Sequence, residues 1–297
     1  MFKKEFIKRP FREGNTLMQL IYINVGTFVI IQVLNVVLRL FNINFQTFTD
    51  NLMLPSSFAT LWQTPWTIIT YMFLHFKFWH LFFNMLCLYW FGQIFVQNFT
   101  KKQLTGLYLL GGIVGGLFYI LCYRYLPYFS YKFSILCGAS ASITALIVAA
   151  AFAQPNMPLR LLFIGEIKLK FIAILTVLIS VFGMTGDNAG GEIAHLGGAI
   201  AGWLWFITLR KGKDLTMPFD KIISFSVNIF DKIFNRKKTL KVTSNRDYHY
   251  KPDEQYNMDR KKNNEKMDVI LDKIRKSGYA SLTEEDRKEL FDISGKL

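Results

Sequence analysis

Charge and cysteine are both scarce over most of this 297-residue chain. Of the 56 Asp, Glu, Lys and Arg residues, 35 lie in the last 87 positions, so the first 210 residues hold only 21 charges. In soluble domains about a quarter of all residues are charged, so the low charge of these 210 residues excludes an ordinary soluble fold. The three cysteines, Cys87, Cys122 and Cys137, lie in apolar segments without CxxC spacing, so we expect no disulfide framework, zinc site or other metal or cofactor site.

The net charge of +14 does not point to nucleic acid. The last 87 residues mix 20 basic with 15 acidic side chains, and most other basic residues flank apolar segments. We therefore expect the lipid bilayer, and no nucleic acid, as a partner. The basic start runs into a long apolar span without a small-residue cleavage site, so we expect no cleavable signal peptide.

Apolar runs long enough for a bilayer core of about 30 Å dominate the first 210 residues. The sequence therefore predicts an all-α membrane protein with a bundle of six transmembrane helices. The six predicted spans are Leu17 to Phe41, Phe78 to Phe99, Leu104 to Leu126, Ala139 to Ala153, Leu169 to Met184 and Ile193 to Leu209.

A long connection, Asn42 to Lys77, separates the first two spans. Asp50 and Lys77 are its only charges, whereas Phe, Leu and Trp are frequent. We expect it to form short helices at the membrane interface, with Trp62 and Trp66 near the headgroups.

The basic residues between the spans predict the orientation. With a cytoplasmic amino terminus, thirteen Lys and Arg side chains fall inside and four outside, which favours two cytoplasmic termini. The second, fourth and sixth spans then run from the outer to the inner face.

The tail predicts two further parts after a membrane domain of residues 1–212. Within 213–264, the apolar residues from Phe219 to Phe234 recur at helical spacing, which fits an amphipathic surface helix or, equally, an ordinary packed helix, and a polar linker follows from Asn235 to Asn264. Residues 265–297 predict a small cytoplasmic helical hairpin, with a break at Gly278 and an N-cap at Thr283.

Polar groups inside the spans are costly in a bilayer and need a reason. Since the even-numbered spans run inward, His80, Ser140 and His195 should lie at similar depth near the outer face. The fourth span has 15 residues, about 22 Å of helix, and is too short for a core of about 30 Å. Ser140 should therefore lie below the outer surface at a helix amino terminus, where N–H groups favour a negative charge.

Proton chemistry gives Ser140 and His195 complementary roles. A serine hydroxyl attacks efficiently only when a base removes its proton, and histidine has a suitable pKa. Asp187 and Glu192, before the sixth span, could orient the imidazole, but we expect them to be solvated loop charges. A two-residue dyad is the simpler assignment.

His80 and Asn84 are four residues apart and share one helix face. With the Ser140 backbone N–H, they could donate to a developing oxyanion. Each feature alone also has a plain structural interpretation. Small residues from Gly138 to Ser142 are ordinary in helix contacts, Gly198 and Gly202 form a GxxxG packing pair, and a lone membrane histidine or asparagine can serve as an interhelical hydrogen bonder.

Three segments together resemble the rhomboid family of intramembrane serine proteases: HLFFNMLCLYWFG with an upstream FLH, GAS opening a short fourth span, and AHLGGAIAG in the sixth. The resemblance covers about residues 15 to 210. It implies Ser140 as nucleophile, His195 as base, and an oxyanion site of His80, Asn84 and the Ser140 N–H. It also implies that Gly198 and Gly202 let the sixth span approach the fourth. Gly138 lies beside this site.

Several wider expectations come from the same resemblance. Substrates would be transmembrane segments of other membrane proteins, cut without metal or cofactor. We expect them to enter past the fifth span, and we expect the Gly183 to Gly191 loop, which its glycines make flexible, to act as a gate. The tail segment LDKIRKSGYASLTEEDRKELF resembles a helical module that follows some bacterial rhomboids, which implies a location in the cell inner membrane.

Two positions depart from the family pattern. Ala141 stands where many members have glycine, and Thr67 follows Trp66 where an arginine is common. The alternatives are a proteolytically inactive relative that binds transmembrane clients, and a transporter or channel. The first is expected to lack the serine or the histidine, and the second needs a polar path through the inner half.

Overall fold

The computed structural model describes residues 16–161, 165–219 and 253–294, and these are mostly helical. They belong to two compact units, one before and one after residue 236. Nine α-helices of the first unit lie wholly within its described residues. These are α1 Thr16–Leu40, α2 Phe45–Asp50, α3 Phe58–Gln63, α4 Thr67–Thr70, α5 Phe78–Asn98, α6 Lys101–Tyr125, α7 Ser140–Ala153, α8 Leu169–Gly183 and α9 Ala189–Arg210.

Four helices in the described part of the chain are long and apolar enough to cross a bilayer, namely α1, α5, α6 and α9. This confirms a multi-pass membrane fold. The two other apolar helices, α7 and α8, are shorter, with 14 and 15 residues. All six lie where apolar spans were predicted, although α9 begins at Ala189, four residues earlier than expected.

The short helix α7 lies at the centre of the first unit. Eleven of its 14 residues are buried, and it packs against α5, α6, α8 and α9. Its sequence is rich in alanine, whose small side chain lets neighbouring helices approach closely. The helix that begins with Ser140 is therefore held by protein on every side.

Paired glycines on α6 make part of this close approach possible, a feature that the sequence analysis did not predict. A Cβ atom on Gly111 would lie 2.5 Å from the Ala145 Cβ, and one on Gly115 would lie 2.7 Å from the Ala141 Cβ. Any larger residue would push α6 away from α7.

The connection between α1 and α5 forms short helices, as its composition predicts. Its strand β1, Leu54–Pro55, pairs antiparallel with β2, Ile135–Leu136, which lies shortly before α7. This pairing joins the connection to the chain that leads into Ser140. Trp62 is 88% exposed, whereas the Trp66 indole donates to the Asn51 carbonyl at 2.7 Å.

Two buried tyrosines fix the end of this connection against α6. A 3₁₀ turn, Tyr71–Phe73, follows α4. The Tyr71 hydroxyl donates to the Gly112 carbonyl at 2.6 Å, and the Tyr108 hydroxyl donates to the Met72 carbonyl at 3.0 Å. Since buried hydroxyls need partners, these bonds hold the turn in one position.

At the end of the bundle away from Ser140, one carboxylate links α6, α9 and the chain that follows α9. Asp214, after α9, accepts from the Gln103 amide at 2.8 Å, from the Trp205 indole at 2.9 Å and from the Thr216 hydroxyl at 2.6 Å. Partial burial raises the pKa of Asp214, but the hydrogen bonds together outweigh it and hold the pKa below its usual value. A two-stranded hairpin, β3 Pro158–Leu161 with β4 Gly165–Lys168, joins α7 to α8.

The second unit contains α10, Asp253–Ser277, and α11, Glu284–Ser294. Gly278 has a left-handed φ of 73° after α10, and the Thr283 hydroxyl accepts from the Asp286 N–H at 3.2 Å, as an N-cap does. Lys273 pairs with Asp286 at 2.8 Å. Ile270 and Leu282 are buried, whereas Phe291 is exposed.

One expectation for the tail was wrong. Residues 253–264 were predicted to belong to a polar linker, but they form the first half of α10. Glu, Gln, Lys and Arg are strong helix formers even where no apolar face is present, so polarity alone did not exclude a helix. The predicted surface helix, apart from Phe219, and the remainder of the linker fall in residues 220–252, outside the described residues.

Candidate functional site

The site is built on the contact between α7 and α9. A Cβ atom on Gly198 would lie 2.1 Å from the Ala141 carbonyl oxygen, and one on Gly202 would lie 2.3 Å from the Ala145 carbonyl oxygen. Only glycine fits at either position. Both contacts advance by four residues, so the two helices run side by side in the same direction.

This register sets the heights of Ser140 and His195. Ser140 precedes Ala141 by one residue and His195 precedes Gly198 by three, which corresponds to about 1.5 Å and 4.5 Å along the axes. The two residues therefore differ in height by about 3 Å at the same end of the helix pair. Gly115 of α6 touches both neighbourhoods, since a Cβ atom there would lie 2.7 Å from the Ala141 Cβ and 2.8 Å from the Ala194 carbonyl oxygen.

Ser140 is the first residue of α7 and is partly buried. The two preceding N–H groups are used: that of Gly138 donates to the Tyr71 carbonyl at 2.9 Å, and that of Ala139 donates to His75 Nε2 at 3.4 Å. Within the described residues, the Ser140 N–H and hydroxyl have no hydrogen-bond partner. Ser140 thus carries the first unused N–H of a helix amino terminus, where a negative charge is favoured.

His80 lies against the loop that precedes Ser140. Gly138 has a left-handed φ of 117°, and a Cβ atom there would lie 2.7 Å from the His80 Cε1 and 2.9 Å from its Nε2. The structure therefore brings His80 and Gly138 to the same end of the bundle as Ser140 and His195.

Asn84 is buried one turn below His80, on the same face of α5. Its amide donates one N–H to the His80 carbonyl at 2.8 Å, within its own helix. A carboxamide carries two N–H donors, so this bond uses half of its donor capacity and fixes the orientation of the group.

His75 was given no role in the sequence analysis. It is fully buried, and its ring packs against that of His80 with 5.1 Å between centroids. Burial, assisted by the neighbouring His80, lowers the pKa of His75 to about 4, so at neutral pH its Nε2 is free to accept the Ala139 N–H. The upstream FLH motif was the sequence signal for this residue.

The surroundings of His195 correct one expectation. Glu192 was expected to be a solvated loop charge, but it lies in the first turn of α9 with a side chain only 17% exposed, and its Oε2 is 3.1 Å from His195 Nδ1. The earlier start of α9 places it one turn from His195, on the same face. Ser180 of α8, also not predicted, has its hydroxyl 3.3 Å from the same nitrogen. Asp187 is exposed, as expected.

The two departures from the family pattern have structural partners. The Ala141 methyl is buried in the contact between α7 and α6, so it is accommodated by Gly115. Thr67 is buried, and its hydroxyl donates to the Thr64 carbonyl at 2.7 Å.

Comparison with known proteins agrees with this arrangement. The Rhomboid domain family matches residues 63–212, half of the chain, and a second family, described as a family of unknown function (DUF6576), matches residues 250–296. The chain is 29% identical over 158 residues to RHOMBOID-like protein 12, mitochondrial, of Arabidopsis thaliana. That match covers 50% of this chain and 47% of the relative, so the chain spans about half the length of the curated relative that it matches.

The family match includes each residue of the site, from His75 on the connection to Gly202 on α9. It also includes α5, α6, α7, α8 and α9, which position them. The match thus extends beyond the three short motifs to all of α5 through α9, and the chain belongs to the rhomboid family.

Proposed function

We propose that the protein is an intramembrane serine endopeptidase with Ser140 as nucleophile and His195 as general base. The register of α7 against α9 carries this proposal, because it supports a meeting of the hydroxyl and the imidazole at one end of a buried helix pair. Ser140 transfers its proton to His195 Nε2 as its Oγ attacks the scissile carbonyl. His195 then protonates the leaving amine, and water hydrolyses the acyl-enzyme.

His80, Asn84 and the Ser140 N–H are the proposed oxyanion donors. The unused N–H at the start of α7 supports the backbone part of this assignment. The contact of His80 with Gly138 and the second N–H of the Asn84 amide support the side-chain part. Each donor of this type is worth about 3–4 kcal/mol of barrier in a well-built oxyanion site.

The proposed membrane domain comprises residues 1–212 with six spans, in which α7 and α8 join the four longer helices. At about 21 Å, α7 is shorter than a bilayer core of about 30 Å, so Ser140 would lie beneath the outer surface in a water-containing cavity. The count of basic residues favours cytoplasmic termini, and we propose the cell inner membrane as the location.

The proposed substrates are transmembrane segments of other proteins that reach Ser140 past α8. The proposed gate is the segment from residue 183 to residue 191, which comprises the last residue of α8, the loop after it and the first residues of α9. We assign residues 265–297, the second half of α10 and all of α11, to a cytoplasmic helical hairpin.

Substitution of the nucleophile tests the endopeptidase. We expect Ser140→Ala to abolish cleavage of a reporter transmembrane substrate in proteoliposomes, with an unchanged melting temperature in detergent. Ser142→Ala is the matched control, because it removes a hydroxyl two residues further along the same helix and should keep most activity. Cleavage by the Ser140→Ala protein at the wild-type rate would refute the nucleophile.

Covalent labelling distinguishes the protease from a client-binding relative. A fluorophosphonate probe should label the wild type at Ser140, and labelling should be lost in Ser140→Ala and in His195→Ala. If the wild type binds transmembrane clients but is neither labelled nor able to cut them, the inactive alternative is correct.

A further inference from the structure

Glu192 contacts His195 Nδ1, the ring nitrogen that takes no part in the proposed proton transfer. Its Oε2 lies 3.1 Å from His195 Nδ1, and the two side chains are 17% and 18% exposed. They are one turn apart on α9, so the helix itself sets their separation. A contact between a carboxylate and an imidazole that is this well shielded is stronger than one between solvated side chains.

The structure leaves a specific space for this carboxylate. A Cβ atom on Gly183, the last residue of α8, would lie 2.7 Å from Glu192 Cγ and 3.2 Å from its Cδ. Any side chain at position 183 would therefore displace Glu192. Ser180, one turn earlier on α8, is buried with its hydroxyl 3.3 Å from His195 Nδ1. The end of α8 thus encloses the pair of Glu192 and His195.

We propose that Glu192 is a positioning residue for His195 and turns the pair of Ser140 and His195 into a three-residue relay. This inference rests on the proposed function. An ionised carboxylate only accepts hydrogen bonds, so its contact requires the proton of neutral His195 on Nδ1. The lone pair is then on Nε2, where it can accept the Ser140 proton.

The carboxylate also acts after the proton has moved. When the Ser140 Oγ–H bond breaks, the proton binds His195 Nε2 and the imidazole becomes a cation that keeps its Nδ1–H bond to Glu192. The carboxylate stays ionised and stabilises this cation. When the peptide C–N bond breaks, the Nε2 proton passes to the leaving amine and His195 returns to the same neutral form.

Glu192→Gln is the direct test. The glutamine amide can turn its NH₂ group toward Nδ1, which favours the tautomer with its proton on Nε2, and that form cannot act as base. We expect kcat on the reporter substrate to fall at least about tenfold with little change in KM, and the rate of fluorophosphonate labelling to fall in parallel. Glu192→Asp should recover part of kcat, because a carboxylate is restored.

Glu166→Gln is the matched control, since it makes the same chemical change at an exposed carboxylate of the β3–β4 hairpin, outside this contact. We expect its kcat to stay within about twofold of the wild type. Gly183→Ala is a second probe that leaves Glu192 in the sequence but moves its carboxylate, and it should lower kcat as well. It decides the question if Glu192→Gln does not fold.

The outcomes separate this inference from the proposed function. A wild type that neither cuts nor labels would end the protease proposal itself. A wild type that cuts, beside Glu192→Gln and Gly183→Ala proteins with unchanged kcat, would overturn only the positioning role. Equal losses for Glu192→Gln and Glu166→Gln would also overturn it, because they would point to general charge rather than to contact with His195.

Discussion

At the scale of the single residue, Gly138 combines two constraints. Its φ of 117° is one that residues with a side chain rarely adopt. A Cβ atom there would lie 2.7 Å from the His80 Cε1, so only glycine leaves space for the ring. Gly165 shares the first constraint, with a φ of 93°, but has nothing within 4 Å of its Cβ position. Substitutions at these two glycines therefore distinguish the cost of backbone strain from the effect of a contact with His80.

We predict that Gly138→Ala lowers cleavage at least about tenfold and lowers the melting temperature, because the methyl displaces His80 in addition to a backbone cost of about 1–2 kcal/mol. Gly165→Ala should carry only the backbone cost and retain activity. Reporter cleavage and thermal unfolding in detergent measure both. Equal activity losses in the two variants would show that the space for His80 is irrelevant.

Sequence patterns predicted the residues at this end of the bundle better than they predicted their contacts. Ser140, His195 and His80 were expected at similar depth from span direction alone. The register of α7 against α9 gives similar heights for Ser140 and His195, and His80 lies beside Gly138. Glu192 was misjudged because its burial depends on where α9 begins and on the space at Gly183. Neither can be read from one-dimensional spacing.

At the scale of the helix, the contact between α7 and α9 depends on glycine. We predict that Gly198→Ala lowers stability by about 1–3 kcal/mol and removes most activity, because its methyl would lie 2.1 Å from the Ala141 carbonyl oxygen and force the helices apart. Thermal unfolding and reporter cleavage are the measurements.

Gly26→Ala in α1 is the matched control for this substitution. A Cβ atom at Gly26 meets nothing within 4 Å, so alanine should be neutral or slightly stabilising there, as expected from helix propensity. If Gly198→Ala behaves like Gly26→Ala, the close approach of α7 and α9 is not essential to the site.

Hydropathy predicted helices at the same places as the structure because each apolar run is long and continuous. It missed the pairing of Leu54–Pro55 with Ile135–Leu136, since two residues per strand are too few for a periodic signal. It also missed the paired glycines of α6, because helix-contact glycines look alike until the neighbouring helix is known.

At the scale of the whole molecule, Asp214 links the start of α6, the end of α9 and the chain that follows. Because its pKa is lowered in the folded state, the stability it contributes is complete above the ordinary value of about 3.9 and is lost as the pH falls through the lowered pKa. The acidic limit of stability should therefore depend on this carboxylate.

We predict that Asp214→Asn lowers the free energy of unfolding at pH 7 by about 1–3 kcal/mol, because charge-assisted hydrogen bonds are lost. We expect this difference from the wild type to shrink near pH 3. Unfolding curves in detergent across this range test it. Asp50→Asn, at an exposed carboxylate of the connection between α1 and α5, should show little difference at either pH. A gap for Asp214→Asn that is the same at every pH would contradict the linkage.

The burial of α7 among other helices determines how lipid or detergent affects the protein. Apolar side chains are exposed along α1 and α8, which would meet acyl chains in a bilayer, whereas eleven of the 14 residues of α7 touch only protein. A change in bilayer thickness therefore acts first on the lipid-facing helices α1 and α8, and it reaches α7 only through the helices that surround it. Detergent exchange should thus disturb access to the interior before it disturbs the innermost geometry.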